Sequence, residues 1–252
     1  MDTYGKLCTE FYDLSKPEAP ADALEFYLHC LSDTNGPVLE PMCGSGRFLI
    51  PFLERGINIE GVDSSPHMLQ ACYSRCEKKG LHPRLYQQHL EGMELPHQYG
   101  YIFIPAGSFG LVTNPMDAAE GLRKLYRHLL PGGKLVIEIE TPLAQPKAPG
   151  KWHEWRLTRP DGAEIVFSAL PVYDEKSQLQ HDVHRYQLFM NGQLIESEVE
   201  DFFLRLYEPA KFQRLLEETG FTAVRVTKAH ADTPVEGNES VVVFQCRRLS
   251  PG

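Results

Sequence analysis

The ten residues at positions 38–47, Val-Leu-Glu-Pro-Met-Cys-Gly-Ser-Gly-Arg, constrain this chain more than any other stretch. Two apolar residues end a strand and an acid follows. Gly44 and Gly46 then stand two apart, and the apolar run Phe48, Leu49, Ile50 opens a helix. Strand, glycine loop and helix together make a cradle for a nucleotide. Glycine lets the backbone approach a ligand closely, and a helix N-terminus presents free N–H groups. Two glycines alone do not say which nucleotide, so the rest of the chain has to decide.

Upstream, Leu24, Leu28 and Leu31 predict a helix over 20–31, ended by Asn35-Gly36-Pro37. Downstream, the first strand covers 37–40 and the helix after the loop runs to about Arg55, with Gly56 as its C-cap. A second strand over 57–62 ends in Asp63, and Ser64-Ser65-Pro66 supplies a serine N-cap and an early proline for the next helix. Strands over 84–87 and 101–105, a helix over 117–130, a Pro131-Gly132-Gly133 turn and a strand over 134–139 complete the series. The 101–105 strand is continuously apolar, as strands covered on both faces are. This alternation predicts an α/β fold: a Rossmann-like, seven-stranded, mostly parallel sheet with helices on both faces.

After Thr141-Pro142 the pattern turns to strand-like alternation with hairpin signals at Pro160-Asp161-Gly162 and Asn191-Gly192. Residues 147–203 are therefore expected to form an antiparallel β insertion after strand five. Residues 1–146 and 204–252 are expected to form one domain around it. That domain closes with a helix beginning near Tyr207 and strands over 221–227 and 240–246.

Composition removes several function classes. A net charge of −9 makes a nucleic-acid partner unexpected. No apolar run approaches the roughly 18 residues of a membrane span, and the first residues lack a basic start followed by an apolar core, so neither a membrane partner nor a secretory signal is expected. The six cysteines include no CxxC pair and suggest neither a zinc ribbon nor a disulfide framework. No metal is expected, and the protein is placed in a reducing cytoplasm, as a monomer or homodimer.

With these motifs in order, the chain resembles the class I S-adenosylmethionine-dependent methyltransferases over most of its length outside the insertion. Glu40 to Gly46 matches the family's acid and glycine-rich loop, with Met42 and Cys43 ahead of Gly44 and Met42 where the first glycine usually stands. The stretch Gly61-Val62-Asp63-Ser64-Ser65-Pro66-His67-Met68-Leu69 is similar to its second motif, and Leu130 to Gly133 to the turn before strand five. The resemblance implies S-adenosyl-L-methionine as cofactor. A carboxylate ending strand two suits both ribose hydroxyls, which assigns Asp63. Glu40 works near the ligand's amino-acid end. Met68 packs on the ribose–adenine face, with Ser64 beside it. His89 and Leu90 bracket adenine, His89 standing where relatives carry Asp. Pro105 and Ser108, after strand four, border the methionine part and the acceptor. Tyr12 resembles the N-terminal aromatic that closes over the methionine end, joined by Tyr4; an aromatic face suits a sulfonium.

The insertion lies where small-molecule methyltransferases of this kind cover their acceptor. Trp152, His153, Trp155, His181, His184, Arg185 and Tyr207 form the pool for acceptor contacts. Methyl transfer is a displacement governed by positioning, and a base is needed only where the acceptor loses a proton; His153 and Tyr207 are its candidates. The expected function is methyl transfer to an N or O atom of a small molecule. A nicotinamide-dependent oxidoreductase would want a small residue at Leu49. A binding or regulatory module would not need intact Glu40, Gly44, Gly46 and Asp63. A protein or RNA methyltransferase would carry Asn-Pro-Pro-Tyr rather than Pro105-Ala106-Gly107-Ser108.

Overall fold

The structure, a computed structural model, describes residues 4–250. Its helices are α1 (Lys6–Ser15), α2 (Ala21–Leu31), α3 (Leu49–Glu54), α4 (Pro66–Glu77), α5 (Pro115–His128) and α6 (Pro209–Thr219). Its strands are β1 (Val38–Pro41), β2 (Ile59–Asp63), β3 (Arg84–Gln87), β4 (Tyr99–Ile104), β5 (Leu129–Glu140), β6 (His153–Thr158), β7 (Glu164–Asp174), β8 (Leu179–Met190), β9 (Gln193–Arg205), β10 (Phe221–Lys228) and β11 (Val241–Arg248).

Seven strands form one sheet in the order β10-β11-β5-β4-β1-β2-β3. β1 to β5 run parallel, and β11 pairs antiparallel with both β5 and β10. The strand order reverses at β1, which lies between β2 and β4, so the crevice at the carboxyl ends of β1 and β4 is the place where an open α/β sheet binds a ligand. Alternation along β4 shows how both faces are covered. Ile102 and Ile104 join a core with Leu122 and Leu125 of α5 and Phe212 and Leu216 of α6. Tyr101 and Phe103 join another with Tyr27 of α2 and Leu69, Cys72 and Cys76 of α4. The paired cysteines are thus buried apolar filling, and all six are free.

Two elements differ from expectation. The Pro131-Gly132-Gly133 turn lies inside β5, where the pairing with β4 shifts register and Gly132 takes φ 76°. The turn is therefore an irregularity in one long strand. At the other end of the chain, α1 has no counterpart in the sequence reading, although Leu7, Phe11 and Leu14 repeat at helical spacing. Its N-cap, Gly5, has no side chain to offer, and the capping comes from far away in sequence. Glu198 Oε2 of β9 accepts the N–H groups of Leu7 at 2.9 Å and Cys8 at 3.3 Å.

The antiparallel unit is a four-stranded sheet, β6-β7-β8-β9. It is less a lid than a platform for α1. Leu7 and Cys8 pack with Ile165, Tyr186 and Leu188, while the Phe11 ring packs at a tilt 5.0 Å from Phe167. Alternate residues of β9 hold the same segment by charge. Glu196 pairs with Lys6 at 3.0 Å, Glu198 caps the helix, and Glu200 accepts the Tyr4 N–H at 2.9 Å.

Candidate active site

β1 delivers Glu40 to the crevice, and the loop turns back at once, with Cys43 N–H bonded to the Val62 carbonyl at 3.0 Å. Met42 holds φ 59°, the left-handed region that glycine favours. A non-glycine residue in this conformation carries a strain of roughly 1–3 kcal/mol, and the Met42 side chain lines the crevice. Gly46 is required for a different reason. At φ 82°, a β-carbon there would lie 2.6 Å from Cys72 Sγ and 3.0 Å from Ile50 Cγ1. Gly46→Ala is expected to cost about 2–4 kcal/mol through overpacking and the left-handed backbone. Thermal unfolding should show this as a lowering of Tm by roughly 5–12 °C; an unchanged Tm would refute the packing argument.

Asp63, at the end of β2, ties two loops together. One carboxylate oxygen accepts Gly44 N–H and the other Ser65 N–H, each at 2.8 Å. Ser65 caps α4 by accepting Met68 N–H, and its hydroxyl donates to the Tyr4 carbonyl. Burial pushes the Asp63 carboxyl above its usual range, while the N–H donors pull the other way. Glu40 is more extreme. It is 2% exposed, and its Oε2 has no hydrogen-bond partner. Burial, with Asp63 adding repulsion, raises its carboxyl well above the carboxylate range. A buried, unpartnered carboxylate is costly, and a cationic group arriving in the crevice offsets that cost.

Around these acids is a cavity of about 430 Å³. Every expected cofactor residue except Gly46 lines it: Tyr12, Glu40, Met42, Cys43, Gly44, Asp63, Ser64, Met68, His89, Leu90, Pro105 and Ser108. Met68 is 2% exposed, and its sulfur sits 3.8 Å from where a Gly44 β-carbon would be. Leu90 is buried, and its N–H makes no hydrogen bond among the described residues. His89 is exposed at the rim, 3.9 Å from Glu91. After β4, Ala106 and Gly107 both take positive φ, 57° and 68°, and bend the chain around the crevice. Tyr4 also lines the cavity. α1 is pinned to the glycine loop through Asp13, which accepts from the Ser45 hydroxyl and pairs with Arg75 at 3.3 Å.

The sequence reading did not name Arg47, Val112, Asn114, Asp117, Asp201 or Phe203, which also line the cavity. Asp201 and Phe203 reach it from β9, where His181 bonds Asp201 at 2.7 Å and stacks on Phe203 at 4.4 Å. Their two-residue spacing marked a shared strand face; nothing in it said which face meets the cavity.

The two expected bases lie elsewhere. His153 lines a second cavity, of about 450 Å³, between β5 and the inserted sheet. Tyr207 lines neither cavity. It packs 5.8 Å from Phe109 and 5.0 Å from Phe212, its hydroxyl is buried without a partner, and burial pushes its phenol up to about 12. The phenol of Tyr207 is thus packed among core aromatics rather than on the wall of either cavity.

Residues 38–133 match a family described as a methyltransferase domain. YqeM of Bacillus subtilis (strain 168) is 21% identical over 238 residues, 94% of this chain and 94% of its own. Among solved structures, an S-adenosylmethionine-dependent methyltransferase from Clostridium acetobutylicum ATCC 824 shares the fold at a TM-score of 0.81. Its identity is 15%, covering 99% of this chain and 100% of its own. The sugar N-methyltransferase KedS8 from Streptoalloteichus sp ATCC 53650 shares it at 0.76, with 20% identity, 99% of this chain and 96% of its own. A methyltransferase domain over residues 38–133 therefore sits in a fold shared with S-adenosylmethionine-dependent methyltransferases.

Proposed function

We propose that this protein moves a methyl group to a nitrogen or oxygen atom of a small molecule, holding its cofactor in the 430 Å³ cavity. The observation that carries the reading is the unpartnered Glu40 oxygen, buried in the same cavity as Asp63. S-adenosylmethionine, when bound, supplies a methyl group made electrophilic by a sulfonium centre. The chain's residues fit that group. Glu40 takes its ammonium. The free lone pairs of Asp63 take the ribose hydroxyls, and Leu90 offers an N–H to adenine. Met68 packs against the flat face, and Tyr12 shields the cationic centre with its ring. The strands fix these groups before the ligand arrives, so positioning is paid for in folding and not at the reaction. His153, in the neighbouring cavity, belongs to the acceptor side. The fold likeness to KedS8, a sugar N-methyltransferase by name, supports nitrogen as the acceptor atom.

Calorimetry with S-adenosylhomocysteine tests the reading. Binding is expected, with none for NAD. An ammonium beside Glu40 lowers its raised pKa, so binding should release protons at the pH where Glu40 is protonated in the free protein, detected as a dependence on buffer ionisation enthalpy. Glu40→Gln should remove that release. Tight binding of NAD, or no binding of S-adenosylhomocysteine, would overturn the assignment.

A further inference from the structure

The face of the inserted sheet that supports α1 buries a histidine between two acids. His184 of β8 is 9% exposed. Its Nε2 lies 3.5 Å from Asp182 Oδ2. Its Nδ1, which makes no hydrogen bond among the described residues, lies 3.8 Å from Glu200 Oε1 on β9. The ring is stacked 4.7 Å from Phe202 and meets Phe167 of β7 edge-on at 4.9 Å, so aromatic surface closes it off and fixes its plane. Glu200 turns its other oxygen elsewhere: Oε2 accepts the Tyr4 N–H at 2.9 Å. Tyr4 in turn lines the cofactor cavity, and its carbonyl accepts from the Ser65 hydroxyl. The Ser65 N–H is bonded to Asp63. One continuous chain of contacts therefore runs from His184 to the acid assigned to the ribose.

The other titratable groups facing this place are neutral or engaged. Burial keeps the Cys8 thiol of α1 and the phenols of Tyr4 and Tyr186 in their neutral forms. Glu198, next on the same face of β9, accepts the N–H groups at the start of α1. β7 presents Ala169 and Phe167, which do not titrate. Two carboxylates buried this close to each other repel, and desolvation adds to that cost unless a cation lies between them. The imidazolium of His184 is that cation. Burial works to lower the His184 pKa, but Asp182 and Glu200 outweigh it and hold the ring above its ordinary value. Burial likewise works to raise Glu200, but His184, Cys8 and the Tyr4 N–H outweigh it and hold the carboxyl below its usual range.

We infer that His184 is a positioning residue for cofactor binding: in its charged form it holds Glu200 in place, and Glu200 seats Tyr4 on the cavity wall. This rests on the cofactor reading above. With His184 neutral, Asp182 and Glu200 face each other across an uncharged ring, and the anchor of Tyr4 weakens. The contribution is present in full below the ordinary histidine value of about 6.5. It is lost as pH rises through the higher value of the folded protein.

Calorimetry of S-adenosylhomocysteine binding to the parent and to His184→Gln, from about pH 5.5 to about pH 9, tests this across the histidine range. Glu40 and Asp63 also titrate, but they are common to both proteins, so the ratio of the two affinities cancels them. That ratio should favour the parent roughly threefold or more at the acid end and fall toward one at the alkaline end. Glu200→Gln should weaken binding by a similar factor. The double variant should lose no more than Glu200→Gln alone, because His184 acts through Glu200. Nuclear magnetic resonance of the His184 ring needs no variant: bound S-adenosylhomocysteine should raise its pKa by about half a pH unit, the reciprocal of a threefold effect. A ratio independent of pH, additive losses in the double variant, or a His184 pKa unmoved by the ligand would each overturn the inference while leaving the cofactor assignment intact. Parent protein that binds no S-adenosylhomocysteine would sink that assignment and this inference with it.

Discussion

Asp63→Ala is expected to weaken S-adenosylhomocysteine binding on the order of 100-fold or more. Two hydrogen bonds to a charged acceptor are worth about 1.5–3 kcal/mol each, and 1.4 kcal/mol is a factor of ten. The structure adds a second route to the same loss: without the carboxylate, the Gly44 and Ser65 N–H groups lose their acceptors, and the loops they belong to line the site. Asp63→Asn separates the two effects, because an amide oxygen still accepts one bond but carries no charge. Stability should move the other way. The folded state raises the Asp63 pKa, so it disfavours the ionised form. Its contribution is greatest below the ordinary aspartate range and is lost as pH rises through the folded-state value. The stability difference between the parent and the unliganded Asn variant, which leaves one of the two N–H groups without an acceptor, should therefore shift in favour of Asn as pH rises through that value, while the variant binds less well. Urea unfolding and calorimetry measure both. Unchanged affinity in folded Asp63→Ala would refute the ribose assignment.

The second large effect comes from outside the cofactor motifs. Glu198→Ala should remove the cap of α1, costing about 1–2 kcal/mol locally, and lower S-adenosylhomocysteine affinity roughly fivefold, the equivalent of about 1 kcal/mol. Glu198 touches no residue of the glycine loop. It acts because α1 carries Tyr12 into the cavity wall and Tyr4 precedes it. Hydrogen exchange over residues 6–15 should accelerate in the variant. If exchange rises while affinity holds, α1 is not part of the binding site. Removal of residues 147–203 would unseat α1 and strip Asp201 and Phe203 from the cavity, so cofactor binding is expected to suffer with it.

The parallel sheet was legible because its signals are local. β4 reads as a both-face strand from five consecutive apolar residues, and Asp63 reads as a strand-ending acid from the Ser-Ser-Pro helix start behind it. Glu40, Gly44 and Asp63 converge because short connections leave them one place to go, the carboxyl ends of β1 and β2 at the reversal of strand order. Tyr207 follows an apolar strand and precedes a helix, a position that sequence cannot divide into wall or core; the structure packs it against Phe109 and Phe212.

The sequence by itself determined the α/β architecture, the glycine loop, the acids that end β1 and β2 and the presence of an antiparallel insertion, all of which depend on patterns a few residues long. Only the tertiary structure decided which surface of that insertion works. Glu198 meets α1 across 190 residues, Asp201 and Phe203 reach the first cavity, and Glu140 of β5 joins His153 and Asp182 in lining the second one. Those pairings depend on how two sheets pack against each other, and packing between distant segments leaves no periodic trace in the chain.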